Sequence, residues 1–137
     1  MMRLLCAGLL LAACGAALAQ SEPADYPQRP IRLIVADSPG SADDFFARAV
    51  GERLEALYKQ RVMIDTRPGA GGLIGNTRVS RAEADGYTLG MVSVTRLITA
   101  LLREPPPYRA LADVTGVAHV ASITNVLVVA PDLHART

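Results

Sequence analysis

Past its first twenty residues the chain has no cysteine, since Cys6 and Cys14 both lie near the start. A domain built from the remainder has no thiol and no disulfide, so its stability rests on its core alone. Tryptophan is absent and other aromatics are few, with two Phe and four Tyr. Neither sign of charge forms a block: 14 Lys and Arg are interspersed with 13 Asp and Glu. That balance, with so few aromatics, excludes the basic surface expected of a nucleic-acid binder. Metal ligation lacks support, because His119 and His134 have no partners at ligand spacing. Ser38, Ser41 and Ser93 have no triad neighbour that the sequence places. With 137 residues there is room for one domain at most.

What is present begins with a targeting segment. Met1, Met2 and Arg3 form a short, singly charged start, Leu4 to Leu18 is apolar, and Ala17-Leu18-Ala19 reads as a small-x-small cleavage site before Gln20. The apolar run is short for a membrane span, and the polar stretch Ser21 to Asp25 follows it. A second processing route competes: Leu11-Ala12-Ala13-Cys14 matches a bacterial lipobox, which would tether the protein through a lipid on Cys14. The expected organisation is a signal peptide over 1–19, with export to the periplasm.

Downstream, strands alternate with helices. Ile31 to Val35 reads as a strand buried on both faces. A helix is predicted over Ala42 to Tyr58, with Phe46, Ala49, Val50, Leu54 and Leu57 as its apolar stripe. Ser41 caps it, and Asp44 completes a capping box. Arg61 to Asp65 is a second strand, Leu73 to Ala82 a second helix, Tyr87 to Val92 a third strand and Thr95 to Leu102 a weaker helix, stopped by Pro105-Pro106-Pro107. Val114 to Val120 and Val126 to Val129 are further strand candidates. Such alternation with short loops predicts an α/β fold with a parallel sheet. Ligands of such sheets sit beyond the carboxyl ends of the strands, which directs attention to loops 36–43, 66–72 and 93–95.

Two of those loops are glycine-rich and lead into helices. Glycine lets the backbone approach a ligand closely, and a helix start presents unpaired N–H groups in a field that favours negative charge. The same glycines also serve as simple turns and caps, and the pattern alone does not separate these roles. Arg67 either pairs a carboxylate or braces its own loop.

The residues then acquire a resemblance. Tyr26-Pro27 with Pro30 to Val35, Arg67-Pro68-Gly69-Ala70-Gly71-Gly72 with Ile74-Gly75, Asp85-Gly86-Tyr87-Thr88-Leu89, Asn125 to Val129, and the closing Pro131, Leu133, Ala135 and Thr137 resemble the tripartite tricarboxylate transporter receptor (Bug, or TctC-like) family in order and spacing. The resemblance implies a two-lobed periplasmic-binding-protein-like fold that closes on a small organic anion, usually a carboxylate. It implies no cofactor, the membrane subunits of the transporter as partners, and no enzymatic activity. Residues 20–130 then correspond to the first lobe, and 131–137 to the start of the crossover into a second, so the chain reads as truncated. Carried over by position, the ligand-binding candidates are Ser38, Gly40, Ser41, Ala42 and Asp43 of the first loop, Ala70, Gly71 and Gly72 of the second, and Ser93 and Thr95 of the third.

The departures from that pattern carry charge. The family's first loop usually reads proline-phenylalanine-proline-proline-glycine-glycine-alanine-threonine-aspartate, where this chain has Ala36, Asp37, Ser38, Pro39, Gly40, Ser41, Ala42, Asp43 and Asp44. Asp37 replaces an aromatic and Asp43 a hydroxyl donor, and an ionised carboxylate beside an anion site opposes binding. Either these side chains face away, or the ligand bears a positive group, or affinity falls. Ser41 in place of glycine requires a negative φ. In the third loop Val92 and Val94 stand where glycine and asparagine are usual. A dinucleotide loop at Gly69 to Gly75 is the rival reading. It fails the G-x-G-x-x-G form at Ile74, follows a complete βα unit rather than opening the first, and lacks an acidic residue at the right distance.

Overall fold

The computed structural model describes residues 26–124 and 126–130. The leader, Cys14, Asn125 and the 131–137 crossover reading lie outside the described residues. Three parallel strands form one sheet in the order β2-β1-β3, with β1 over Ile31–Val35, β2 over Val62–Thr66 and β3 over Thr88–Met91. Ile31 stands beside Val62, and Arg32 beside Thr88. The α/β reading with a parallel sheet therefore holds.

β1 is central because its residues are apolar on both faces. Ile31, Leu33 and Val35 point to one side and bury against Ala47 and Val62, with Leu54, Ile64, Tyr87, Leu89 and Met91 packed around them. Burying each such aliphatic side chain contributes about 1.5–3 kcal/mol. Ile34 and Ala36 are buried on the opposite side.

Helix α1, Ala42–Tyr58, covers the first face. Ser41 caps it at φ −71°, its hydroxyl accepting from the Asp44 N–H, and the helix ends at Lys59 in the left-handed region, whose N–H donates to the Glu55 carbonyl. The negative φ that Ser41 requires is met. Only half of the expected capping box forms. The Asp44 carboxylate accepts from the Gly40 N–H at 2.9 Å and from Arg48 Nε at 3.0 Å, whereas the Ser41 N–H donates to the Ser38 carbonyl. The apolar stripe also shifts. Asp43, Asp44, Ala47 and Gly51 are the buried positions, while Ala49 and Leu57 are exposed and Phe46, Val50 and Leu54 only half-buried. Small residues win this face because they admit close approach: a Cβ on Gly51 would lie 3.2 Å from Ile64 Cδ1.

After β2 the chain makes one turn of 3-10 helix, Ala70–Gly72, where the sequence suggested only irregular loop. Helix α2, Leu73–Ser80, follows and stops short of the expected Ala82. It lies on the second face of β1, with Gly75 directly over Ala36. The turn into β3 is pinned: the Asp85 carboxylate accepts from the Tyr87 N–H, the Tyr26 hydroxyl donates to the Gly86 carbonyl, and the Arg29 guanidinium pairs with Asp85 and sits 4.2 Å from the Tyr87 ring centroid. Helix α3, Val94–Leu101, completes the set. Beyond the proline run, Tyr108 and Ala110 pack with Leu73, Ala100 and Leu97 in a second small core. Asn76 and the Tyr108 hydroxyl line one small cavity there and are buried without a described partner, at a cost of about 1–3 kcal/mol per unsatisfied group.

The strand expectations over Val114 to Val120 and Val126 to Val129 are corrected: neither segment forms a strand. The cause is pairing. A strand needs a neighbour for its N–H and C=O groups, and neither stretch lies against a free edge of β2 or β3. Apart from Val114, half-buried at the small cavity that Tyr108 lines, their apolar side chains stay in solvent, with Leu127 at 92 % exposure.

Candidate functional site

Because the sheet is parallel, all three strands end on one edge, and each continues into a helix there: β1 into α1, β2 through the 3-10 turn into α2, and β3 into α3. Three helix starts on one edge favour negative charge, by typically 0.3–1 kcal/mol each and up to about 2 when partly buried.

The state of the loop N–H groups decides which remain open to a ligand. In the first loop, Ser38 donates to Asp37 Oδ1, Gly40 to Asp44 Oδ2 and Ser41 to the Ser38 carbonyl. The loop thus satisfies three of its own donors, which the sequence did not reveal, and the N–H groups of Ala42 and Asp43 take no acceptor among the described residues. In the second loop, Gly72 donates to the Gly69 carbonyl and Leu73 to that of Ala70, which leaves Ala70 and Gly71 open. Ala70 and Gly71 reach this arrangement at φ 49° and 67°. In the third loop, Ser93 is the N-cap of α3 without a side-chain cap bond, and Thr95 is exposed.

Asp43 and Asp44 both sit in the first turn of α1, where the helix field favours them. Asp44 is held below the ordinary carboxylate value by Arg48 first and the Gly40 N–H second. Asp43 does not stand in solvent at the loop tip. It is buried, and its Oδ2 has no described donor.

One residue that sequence reasoning missed joins the loops. Arg96, in the first turn of α3, pairs through Nη2 with Asp37 Oδ2 at 2.5 Å. Its side chain lies across Gly72, where a Cβ would meet Arg96 Cδ at 2.6 Å and the Ala36 carbonyl oxygen at 3.1 Å. Gly71 in turn faces Thr99 of α3, whose Cγ2 a Cβ would approach to 3.0 Å. The first loop, the second loop and α3 therefore meet at Asp37, Gly72 and Arg96. Burial alone would raise the Asp37 carboxyl, but the Ser38 N–H and the Arg96 guanidinium outweigh it and hold the group below its usual value. Arg67 braces its own loop, as its Nε donates to Asp65 Oδ1 at 2.8 Å.

A cleft of about 500 Å³ lies away from this edge, along α2 and the amino ends of β1 and β3, lined by Arg29, Arg32, Arg78, Arg81, Glu83 and Asp85 among others. It opens on a sheet face where Met63 stays exposed; it touches the start of α2 through Ile74, but Ala42, Asp43, Ala70 and Gly71 do not line it. The loop edge is the better candidate on chemistry.

Comparison with known proteins agrees with the motifs. Residues 46–137 match the model of the tripartite tricarboxylate transporter family receptor. The chain belongs to that receptor family. A UPF0065 protein of Bordetella bronchiseptica is 43% identical over 111 residues, which cover 77% of this chain and 33% of that protein. Protein BugT of Bordetella pertussis is 38% identical over 128 residues, covering 92% and 39%. Among solved structures, the periplasmic binding protein BugD aligns with 37% identity and a TM-score of 0.45, over 47% of this chain and 22% of its own. The chain thus spans between a third and two-fifths of the length of these curated relatives. The family match begins at residue 46, after the first loop, so the departures at Asp37 and Asp43 fall outside it.

Proposed function

We propose that this chain carries the ligand-binding edge of a periplasmic receptor that takes a small organic carboxylate for the membrane subunits of a tripartite tricarboxylate-type transporter. The observation that carries the reading is that the N–H groups of Ala42, Asp43, Ala70 and Gly71, in two loops on the carboxyl edge of a parallel sheet, take no acceptor among the described residues. A carboxylate accepting such bonds gains about 1.5–3 kcal/mol from each when water is excluded. Residues 20–130 act as the first lobe in this reading, and a second lobe supplies the half of the cleft that excludes water.

Without that half the loop tips face solvent, as Ser38, Gly40, Ala70 and Gly71 do here. Each bond then nets only about 0.5–1.5 kcal/mol, against roughly 4–15 kcal/mol of lost translational and rotational freedom. The expected result for the 137-residue chain is binding of di- or tricarboxylates with a Kd in the millimolar range, read by amide shifts at Ala42, Asp43, Ala70 and Gly71 in an NMR titration. Shifts with nucleotides only would remove the receptor reading, and micromolar binding to a monodisperse monomer would refute the open-edge argument.

Export is the second part of the proposal. Cleavage after Ala19 yields a mature chain beginning at Gln20, and the intact mass of exported protein decides it. A lipid adduct on Cys14 would establish the anchored form instead, and a retained Met1 would defeat both.

A further inference from the structure

We propose that Asp37 and Arg96 make this site select a carboxylate ligand that also carries a cationic nitrogen, an amino-acid-like zwitterion, over an unaminated dicarboxylate of the same length. The inference rests on the carboxylate-receptor reading and narrows it.

The argument is one of charge already engaged. Arg96 is the cation nearest the meeting of the loops, but its guanidinium is committed to Asp37 at 2.5 Å, with both side chains about three-quarters buried. It cannot serve as a free counter-ion for a dianion. Arg48 is likewise engaged by Asp44, and Arg67 by Asp65. Asp43 remains, buried and without a paired cation. The ionisable side chains of this edge, Asp37, Asp43, Asp44 and Asp65 against Arg48, Arg67 and Arg96, therefore leave one negative charge uncompensated. The helix starts offer their partial positive charge to a single carboxylate group. A second carboxylate on the ligand meets Asp37 and Asp43 as like charges, whereas an ammonium meets them as opposite ones.

Asp37 is suited to accept that ammonium. Its Oδ1 takes the Ser38 N–H at 2.7 Å and its Oδ2 takes Arg96, which leaves further lone pairs on a carboxylate that offers about four acceptor sites. The side chain keeps 27% of its surface in contact with solvent, so a ligand can reach it. The Asp37 carboxylate can thus face a zwitterion's ammonium, with the ligand carboxylate toward the open N–H groups of the second loop, without first separating from Arg96.

The test compares ligands that differ only by the amine. Glutamate against glutarate, and aspartate against succinate, are titrated into the 137-residue chain at constant ionic strength, with amide shifts of Ala42, Asp43, Ala70 and Gly71 as readout. The aminated member of each pair is expected to bind roughly three- to tenfold more tightly. Asp37→Asn should abolish that preference, whatever its effect on overall affinity, and Asp37→Glu, which keeps the charge, should retain it. Equal or tighter binding of the unaminated members overturns the proposal and leaves the carboxylate reading standing, and this comparison needs no variant. A preference that survives in Asp37→Asn also overturns it. If neither kind of ligand moves these amides, the receptor reading itself fails.

Discussion

Gly75→Ala is expected to lower the melting temperature by roughly 8–16 °C, although alanine is ordinarily the better helix residue by about 0.8–1 kcal/mol. The reversal comes from what the new methyl would meet. A Cβ at Gly75 would stand 2.7 Å from Ala36 Cβ, 2.8 Å from Ala36 Cα and 3.0 Å from the Arg67 carbonyl oxygen. Two of those three atoms are backbone. Ala36 continues the central strand, and the adjoining Arg67 N–H donates to Val35, so neither segment yields without disturbing the β1–β2 ladder. Overpacking of this kind costs typically 1–3 kcal/mol and occasionally more. With backbone among the clashing atoms the cost lies at the upper end, about 3 kcal/mol, so a net loss of about 2 kcal/mol remains after the propensity gain, and each kcal/mol moves the midpoint by about 4–8 °C in a domain of 60–100 residues. Gly51→Ala is the internal comparison. Its nearest neighbour is Ile64 Cδ1 at 3.2 Å, the movable end of a side chain, so its effect should stay within about 1 kcal/mol of zero. Thermal melts of both variants followed by circular dichroism check the contrast. A Gly75→Ala protein that melts at or above the parent would mean that α2 does not lie against Ala36.

That contrast also marks what the sequence could disclose. The order of strands and helices from Ile31 to Leu101 was legible because each element carries its own period or its own punctuation: the β-branched run of β1, the cap at Ser41, the glycines before α2 and the Asp85-Gly86 turn. The carboxyl edge followed from that order, since parallel strands place their following loops together. Less legible was the inner face of α1. A stripe of large residues is the usual guide, but close approach to the sheet selected Ala47 and Gly51, and small residues give periodicity little to detect. The strands expected after Val114 show a different limit. Local composition supplies β propensity, whereas a strand exists only where an edge receives it. Least legible was the Asp37–Arg96 pair. Its members are far apart in the chain, and Arg96 on its own reads as an ordinary helix-surface cation. Only the fold that stacks α3 on the second loop turns Asp37 from a like-charge obstacle into half of an ion pair.

Gly72→Ala should affect stability and binding together, and the two effects can be separated. Gly72 sits at φ 88° and ψ 0° as the residue before α2, a left-handed conformation that costs an L-residue about 1–2 kcal/mol. The added Cβ would meet the Ala36 carbonyl oxygen at 3.1 Å on one side, and Arg96 Cδ and Nε at 2.6 and 3.2 Å on the other. The carbonyl belongs to the backbone that leaves the central strand, so the arginine is the group that moves. Moving it draws the guanidinium off Asp37, leaves that carboxylate with the Ser38 N–H alone, and shifts the start of α2 where Ala70 and Gly71 present their N–H groups. A stability loss of about 1–3 kcal/mol is therefore expected together with at least a tenfold weaker carboxylate affinity. Gly86→Ala serves as control. Gly86 is also left-handed, at φ 82°, and a Cβ there would crowd the Tyr26 ring at 3.2 Å, but it lies in the turn at the amino end of β3, away from the loop edge. It should lose comparable stability and bind carboxylates as the parent does. Chemical denaturation gives the first quantity and NMR titration the second. If Gly72→Ala weakens the fold but binds as tightly as Gly86→Ala, then the Arg96 side chain stacked on Gly72 is only a packing contact, and the edge described here does not hold the ligand.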